Sequence, residues 1–403
     1  MNTIKEKILN NLTLSDSLPQ EVVDIADKKR SNLFTWRGQF SPQLVDALIK
    51  NYSKKGDILF DPFLGSGTLL LESAFLGFEA YGVELNPAAY GLATIYELTQ
   101  YDLSEREKSI EIIEDLINDY LPLEHLFSQL QFKSLTDLKD ELVDALNKHK
   151  GTNTGIIINA LIIGLDFEQK KLDLKKLQNA WYSLKDKIRT LPFTKQPIKA
   201  ILGDARETPL NDSCIDLVVT SPPYINVFNY HQNYRKSVEA TGFDILKVAK
   251  SEIGSNRKFR SNRYLTVIQY SLDIYQVFQE LKRVCKNNAK IIFIVGRESS
   301  VRKTPFPNAK ILTEVAKSLG FILEGEQPRM FRNKFGQNIY EEILRFSINK
   351  NVVTSTIESA REIAIKYLNQ AVINAPSESL SDLKDAINKA LNVQPSIIYK
   401  KEL

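Results

Sequence analysis

The chain has 403 residues, 43% of them hydrophobic and 25% charged, with 17 glycines and 15 prolines. That composition argues against a disordered chain, a collagen-like repeat and a coiled-coil rod. The length suits two or three domains, or one large domain carrying an insertion. A net charge of +4, from 53 basic against 49 acidic side chains, is too mild to declare a nucleic-acid partner. Any basic surface must therefore be found locally.

Two cysteines, Cys214 and Cys285, cannot build a disulfide framework or a cysteine-rich zinc site. With three histidines, His125, His149 and His231, no metal is expected. Residues Met1 to Lys7 contain no signal-peptide core. The longest strongly apolar stretch, Ile156 to Leu165, has ten residues and includes Asn159. A bilayer span needs about 20. The expectation is a soluble, cytoplasmic protein of a reducing compartment.

Residues 1–33 are polar and read as helical in parts. Asp57-Ile58-Leu59-Phe60 is a short apolar run ending in Asp61-Pro62-Phe63-Leu64-Gly65-Ser66-Gly67-Thr68. A helical pattern from Leu69 to Leu76 follows, closed by Gly77, then a strand over Ala80–Glu84. Strand, Gly-rich turn, helix and strand open a parallel α/β sheet. Residues 103–195 are charged and amphipathic, with helical spacing over Leu135–Leu146 and Leu172–Leu184, and read as a helical insertion, a candidate recognition domain or partner-binding module. Strands resume at 198–202, 215–220 and 290–296, the last preceded by a helix over 271–286. Residues 320–324 and 341–346 suit a closing hairpin, and the tail after Asn351 reads as two helices around a break at Asn374-Ala375-Pro376. The expected fold class is α/β, a Rossmann-like, mostly parallel sheet with a helical insertion and a helical C-terminal tail. Its segments are 1–33, 34–102, 103–195, 196–350 and 351–403.

The Gly-rich turn allows a ligand to approach backbone closely, and an acid at the end of the next strand can accept from ribose hydroxyls. Glu84 lies 19 residues after Gly65, near the usual spacing of about 20. The third glycine of a dinucleotide fingerprint is missing, and Asp61 would repel a pyrophosphate. A carboxylate there suits an ammonium or sulfonium instead. Asp204, after the third strand, is placed to meet an adenine amine. Ser221-Pro222-Pro223-Tyr224 follows the fourth strand. Its two prolines fix the backbone and remove two donors. That leaves the Ser221 hydroxyl and carbonyls as acceptors beside the Tyr224 ring, a cluster suited to a planar amine. Residues 225–264 hold Arg235, Lys236, Lys247, Lys250, Arg257, Lys258, Arg260 and Arg263 among Phe228, Tyr230, Tyr234, Phe259 and Tyr264. They form the candidate nucleic-acid surface. His231 there reads as a plain polar loop residue or a base contact. Cys214 and Cys285 read as core.

Asp61–Thr68 together with Ser221–Tyr224 resembles the S-adenosylmethionine-dependent DNA amino-methyltransferases, whose F-x-G-x-G turn binds the cofactor and whose [S/D/N]-P-P-[Y/F/W] tetrapeptide is catalytic. Trp36-Arg37-Gly38-Gln39-Phe40-Ser41-Pro42 is similar to that family's cofactor-lid segment. The resemblance covers about 34–100 and 198–348. It implies that Phe40, Asp61, Pro62, Phe63, Gly65, Gly67, Thr68, Glu84 and Asp204 bind S-adenosylmethionine. It implies that Ser221, Pro222, Pro223 and Tyr224 act on a base flipped out of double-stranded DNA. Arg235, Arg257, Lys258, Arg260 and Arg263 would contact that DNA. Serine at the head of the tetrapeptide looks most like the N4-cytosine enzymes, and the resemblance implies a restriction–modification setting in which a cognate endonuclease is a candidate partner. N6 of adenine, an RNA amine, and a binding protein that keeps the fold remain the alternatives. Lid, turn and tetrapeptide come in that order, whereas many N4-cytosine enzymes are circularly permuted.

Overall fold

The computed structural model describes residues 11–25, 30–36, 38–39, 41–118, 120, 135–167, 173–226, 230–255, 259–332, 336–352 and 355–400. Nine strands are present among them: β1 (Ile58–Asp61), β2 (Glu79–Glu84), β3 (Ile198–Leu202), β4 (Ile215–Thr220), β5 (Cys285–Gly296), β6 (Ser299–Val301), β7 (Thr304–Phe306), β8 (Phe321–Arg332) and β9 (Asn338–Ile348). Seven form one sheet in the order β3-β2-β1-β4-β5-β9-β8, and β6 and β7 form a separate hairpin. β3, β2, β1, β4 and β5 are parallel, β9 is antiparallel to β5, and β8 to β9. The Rossmann-like, mostly parallel sheet expected from the motif order is therefore present.

The central strands are continuous apolar runs because both sheet faces are covered. Successive side chains point to opposite faces. Leu59, Leu217, Val219 and Ile292 enter one core, and Phe60, Val218, Ile291 and Phe293 the other. Helices Pro42–Tyr52, Thr68–Leu76 and Pro87–Ala93 cover the first face. The long helix Leu265–Val284 and the helix Asn308–Ser318 cover the second.

Residues 103–195 contain the helices Leu103–Ile117, Leu135–Lys148, Asn153–Leu165 and Leu174–Thr190, with no strand among the described residues. They do not form a separate core: Ile157, Ile158, Leu161 and Trp181 belong to the cluster that contains Leu59. The apolar run 156–165 is thus an internal helix. No helix among the described residues is long and apolar enough to cross a membrane. The tail forms helices Ile357–Ala371 and Leu380–Asn388, either side of the expected break. They extend the second face, with Ala360, Leu368 and Leu383 packed in the same cluster as Phe60.

Several elements differ from expectation. β5 begins at Cys285, because pairing with β4 resumes after a register shift between Ile215 and Leu217. The closing hairpin runs 321–332 against 338–348, well past its apolar stretches. Its extension carries the polar residues Gln327, Arg329 and Glu341 inward, which a hydrophobicity pattern does not reveal. β6 and β7 turn at Arg302 and Lys303, both with positive φ and with no glycine to announce the turn. Residues 225–264 are not one loop. They include helices Arg235–Ala240 and Ile245–Ser251, whose Val238, Ile245 and Val248 are buried.

Candidate active site

The strand order reverses between β1 and β4, and ligands of open α/β sheets bind outside the carboxyl ends of strands at that point. Asp61 ends β1, Glu84 ends β2, Asp204 follows β3 and Ser221 follows β4. A cavity opens over these ends. Pro62, Phe63, Leu64, Gly65, Thr68, Val83, Glu84, Asp204, Ala205, Ser221 and Pro223 form one side. Trp36, Gly38, Gln39, Tyr230, Ser251, Glu252 and Ile253 form the other.

Glu84 closes the Gly-rich turn onto its strand. Its Oε2 accepts the Gly65 N–H at 2.7 Å and its Oε1 the Asn86 N–H at 2.8 Å. Burial pushes its pKa up to about 7, against those two bonds. Each oxygen keeps a lone pair for a further donor. Asp61 is 1% exposed. Its Oδ1 accepts the Thr220 hydroxyl at 2.6 Å and the Phe63 N–H at 2.9 Å. Its Oδ2 is buried with no partner among the described residues. Desolvation pushes this carboxyl up to about 7 as well. A buried acceptor with nothing to accept is costly, and a cationic donor would satisfy it.

Gly65 and Gly67 both have positive φ, 55° and 93°. Gly65 approaches Trp36 across the cavity. Gly67 stands behind the turn, where a Cβ would lie 2.6 Å from the Tyr96 ring. Its place is helix packing rather than the cavity wall. Asp204 also differs from expectation. Its Oδ1 accepts Arg206 N–H and Nε at 3.1 and 2.8 Å, and its Oδ2 accepts Arg206 Nη2 and Tyr399 N–H at 2.6 and 3.0 Å. All four acceptor positions of the carboxylate are filled, so an adenine amine there would have to displace one of them. Arg206 continues to Asp273 Oδ1 at 2.9 Å and to the Ser396 and Ile397 carbonyls, both at 2.9 Å. The extended segment near the C-terminus is thereby tied to the end of β3.

Ser221 also lines a second cavity, with Trp36, Gly38 and Gln39 again on its wall and Ser41, Arg329, Phe331 and Glu341 on its far side. Ser221, Trp36, Gly38 and Gln39 are common to the walls of both cavities. Pro222 is buried and Pro223 half-buried behind the serine. Tyr224 is not an open stacking platform. Its ring lies against Gly296, where a Cβ would come within 2.8 Å. Its phenol donates to Glu341 Oε1 at 3.0 Å and also interacts with Ser221. Burial raises its pKa well above the ordinary tyrosine range.

The basic segment is only partly gathered here. Arg260 and Arg263 are exposed, while Arg235 pairs with Glu239 at 2.7 Å. Phe40, Phe228, Arg257 and Lys258 lie outside the described residues. His231 is buried, and its N–H and Nδ1 reach the two oxygens of Glu252 at 2.6 and 2.7 Å. It supports the cavity wall rather than a base. Cys214 is half-buried and Cys285 buried. Sequence reasoning missed Ser251–Ile253 as cavity wall and missed Arg329 and Glu341 altogether. Only the spacing of Arg329 and Glu341 about a hairpin turn could have paired them.

The model of a family described as DNA methylase matches residues 7–94. The type II methyltransferase M.BsoBI of Geobacillus stearothermophilus is 23% identical over 351 residues, covering 71% of this chain and 68% of that protein. The type II methyltransferase M.MjaII of Methanocaldococcus jannaschii is 21% identical over 440 residues, covering 79% and 81%. Among solved structures, an SAM-dependent methyltransferase from Methanosarcina mazei aligns over 75% of this chain and 96% of its own, at 12% identity and a TM-score of 0.34. In its motifs, in the family model over its N-terminal part and in these type II relatives over most of its length, the chain is similar to S-adenosylmethionine-dependent DNA amino-methyltransferases.

Proposed function

We propose that the chain is a type II DNA methyltransferase that moves a methyl group from S-adenosylmethionine to the exocyclic N4 amine of a cytosine flipped out of double-stranded DNA. The observation that carries the reading is the position of Ser221 on the wall common to two cavities. A methyl donor can reach it from one side and a base from the other.

The first cavity fits the cofactor by its chemistry. Glu84 can accept from the ribose hydroxyls, and Phe63, Val83, Ala205 and Ile253 offer apolar walls to the adenine ring. The unpartnered Asp61 Oδ2 suits the methionine ammonium. When bound, S-adenosylmethionine supplies an electrophilic methyl on a sulfonium. The Ser221 hydroxyl and Pro222 carbonyl hold the two amine hydrogens, turning the nitrogen lone pair out of the ring plane and toward the first cavity. Glu341 anchors the Tyr224 phenol, which itself braces the serine. Such positioning can supply about 7–11 kcal/mol of the barrier. No thiolate attack on the base is needed. Burial pushes the Cys285 thiol far above its ordinary range, which fits a structural role for it.

The target base must leave the duplex to reach Ser221, at a cost of a few kcal/mol. The exposed Arg260 and Arg263, with Arg257 and Lys258 of the same run, are the proposed phosphate contacts that offset it. The type II relatives favour a short recognition sequence and a cognate restriction endonuclease acting on the same site.

Mass spectrometry of nucleosides from DNA of cells with and without the protein tests the reading. N4-methylcytosine is expected. N6-methyladenine would keep the amine chemistry and overturn the choice of base, and a modified base found in RNA alone would overturn the substrate.

A further inference from the structure

The second cavity carries a feature that the chemistry above does not use. Arg329 on β8 faces Glu341 on β9 as a direct cross-strand partner. Its side chain is 4% exposed, and one guanidinium nitrogen, Nη1, donates to Glu341 Oε2 at 3.0 Å. The Phe331 ring lies under the guanidinium, 4.9 Å from Cζ to the ring centroid. The Nε–H is buried with no partner among the described residues. Arginine is therefore held by charge on one edge and by a ring on one face, while a buried donor is left over on the wall of the cavity that contains Ser221.

We propose that Arg329 reads the O2/N3 edge of the flipped cytosine and so sets the choice of base. This rests on the reading of the chain as an amine methyltransferase. With the N4 amine held at Ser221, cytosine presents two neighbouring acceptors beyond it, ring N3 and then O2. A guanidinium fork donates to two neighbouring acceptors at once. Adenine, held by its N6 amine, presents N1 and then C2–H. One guanidinium N–H would stay buried and unpaired, and a site built around a hydrogen bond rejects the ligand that lacks it. Glu341 links this reader to the catalytic serine, since its other oxygen accepts the Tyr224 phenol.

The test uses the full chain and duplex oligonucleotides bearing its methylation site. The target cytosine is replaced, in a second duplex, by a 2-aminopyridine C-nucleoside, which keeps the amine and the neighbouring ring nitrogen and carries C–H where cytosine has O2. Wild type should lose about 10- to 100-fold in kcat/KM when O2 is removed, the range of one bidentate base contact. Arg329→Lys should be slower on cytosine by a similar factor and should lose little more when O2 is removed. Cofactor affinity should be unchanged in the variant. Equal O2 penalties in wild type and variant would overturn the proposal and leave Arg329 as a brace for Glu341. If Arg329→Lys does not fold, Arg329→Gln/Glu341→Gln keeps the site neutral and is read in the same way. Formation of N6-methyladenine by wild type would show instead that the underlying base assignment had failed, and the proposal with it.

Discussion

On the proposed reading, Asp61 and Glu84 make cofactor binding depend on pH. Both carboxyls are pushed up to about 7 by burial, so each is partly protonated in the empty protein near neutrality. A protonated Asp61 lacks the negative charge that attracts an ammonium. S-adenosylmethionine affinity should therefore tighten as pH rises through about 7 and level off above it, followed by titration calorimetry from about pH 5.5 to 8.5. Asp61→Asn should weaken binding by at least about tenfold and flatten that profile. The same groups act on stability with the opposite sign from a salt-bridged carboxylate. Their folded pKa values exceed the unfolded ones, so the folded state binds more protons between about pH 4 and 7. Asp273, raised to about 6 by burial, adds to the effect. Their joint contribution to the ligand-free thermal midpoint should fall across that window, less steeply in Asp61→Asn. Gly67 makes a purely steric prediction. Alanine there needs a φ of 93° and meets the Tyr96 ring, so Gly67→Ala should cost about 1–3 kcal/mol by thermal melting.

Elements whose logic is local were legible in the sequence. The turn from Asp61 to Thr68 announces itself because Gly65 and Gly67 must take positive φ between a strand and a helix. Ser221–Tyr224 announces itself because two prolines after an apolar strand leave few other uses. Elements whose logic is distant were not. Asp204 reads in the sequence as an adenine contact because nothing there shows that Arg206 and Tyr399 fill its oxygens, or that Arg206 is itself held by Asp273 and Ser396. The polar half of the closing hairpin has no apolar pattern to announce it, since Arg329 and Glu341 pair with each other across the strands. The Arg206 cluster predicts its own importance. Its side chain is fully enclosed, and Arg206→Ala would leave Asp204 and Asp273 buried without their countercharge. Denaturant unfolding should show a loss of about 3–5 kcal/mol, larger than for either tail helix made more polar at an exposed position.

At the scale of the molecule, the sheet is one wall between two cores, and neither the insertion nor the tail is an appendage. The insertion was recognisable as helical by its spacing, but spacing does not say what a helix packs against. The helix Asn153–Leu165 is buried nearly all round and contacts the helix Pro87–Ala93 beside β2. A chain joined directly from Asp102 to Gln196 should therefore expose Leu92, Ile95 and Leu98 and lose cooperative unfolding, as seen by circular dichroism against temperature. An insertion that were a free-standing module would leave the transition intact.

The tie between Asp204 and Tyr399 also bears on how the protein comes into being. A polypeptide emerges N-terminus first, so Asp61, Glu84 and Ser221 exist well before the residues that clasp Arg206 and Asp273. Until residues 396–399 leave the ribosome, Asp204 lacks one hydrogen bond and Asp273 lacks both of those from Ser396. The Asp204 side of the first cavity is thus secured late. Chains that stall short of residue 396 should carry every motif of a methyltransferase and remain silent toward DNA.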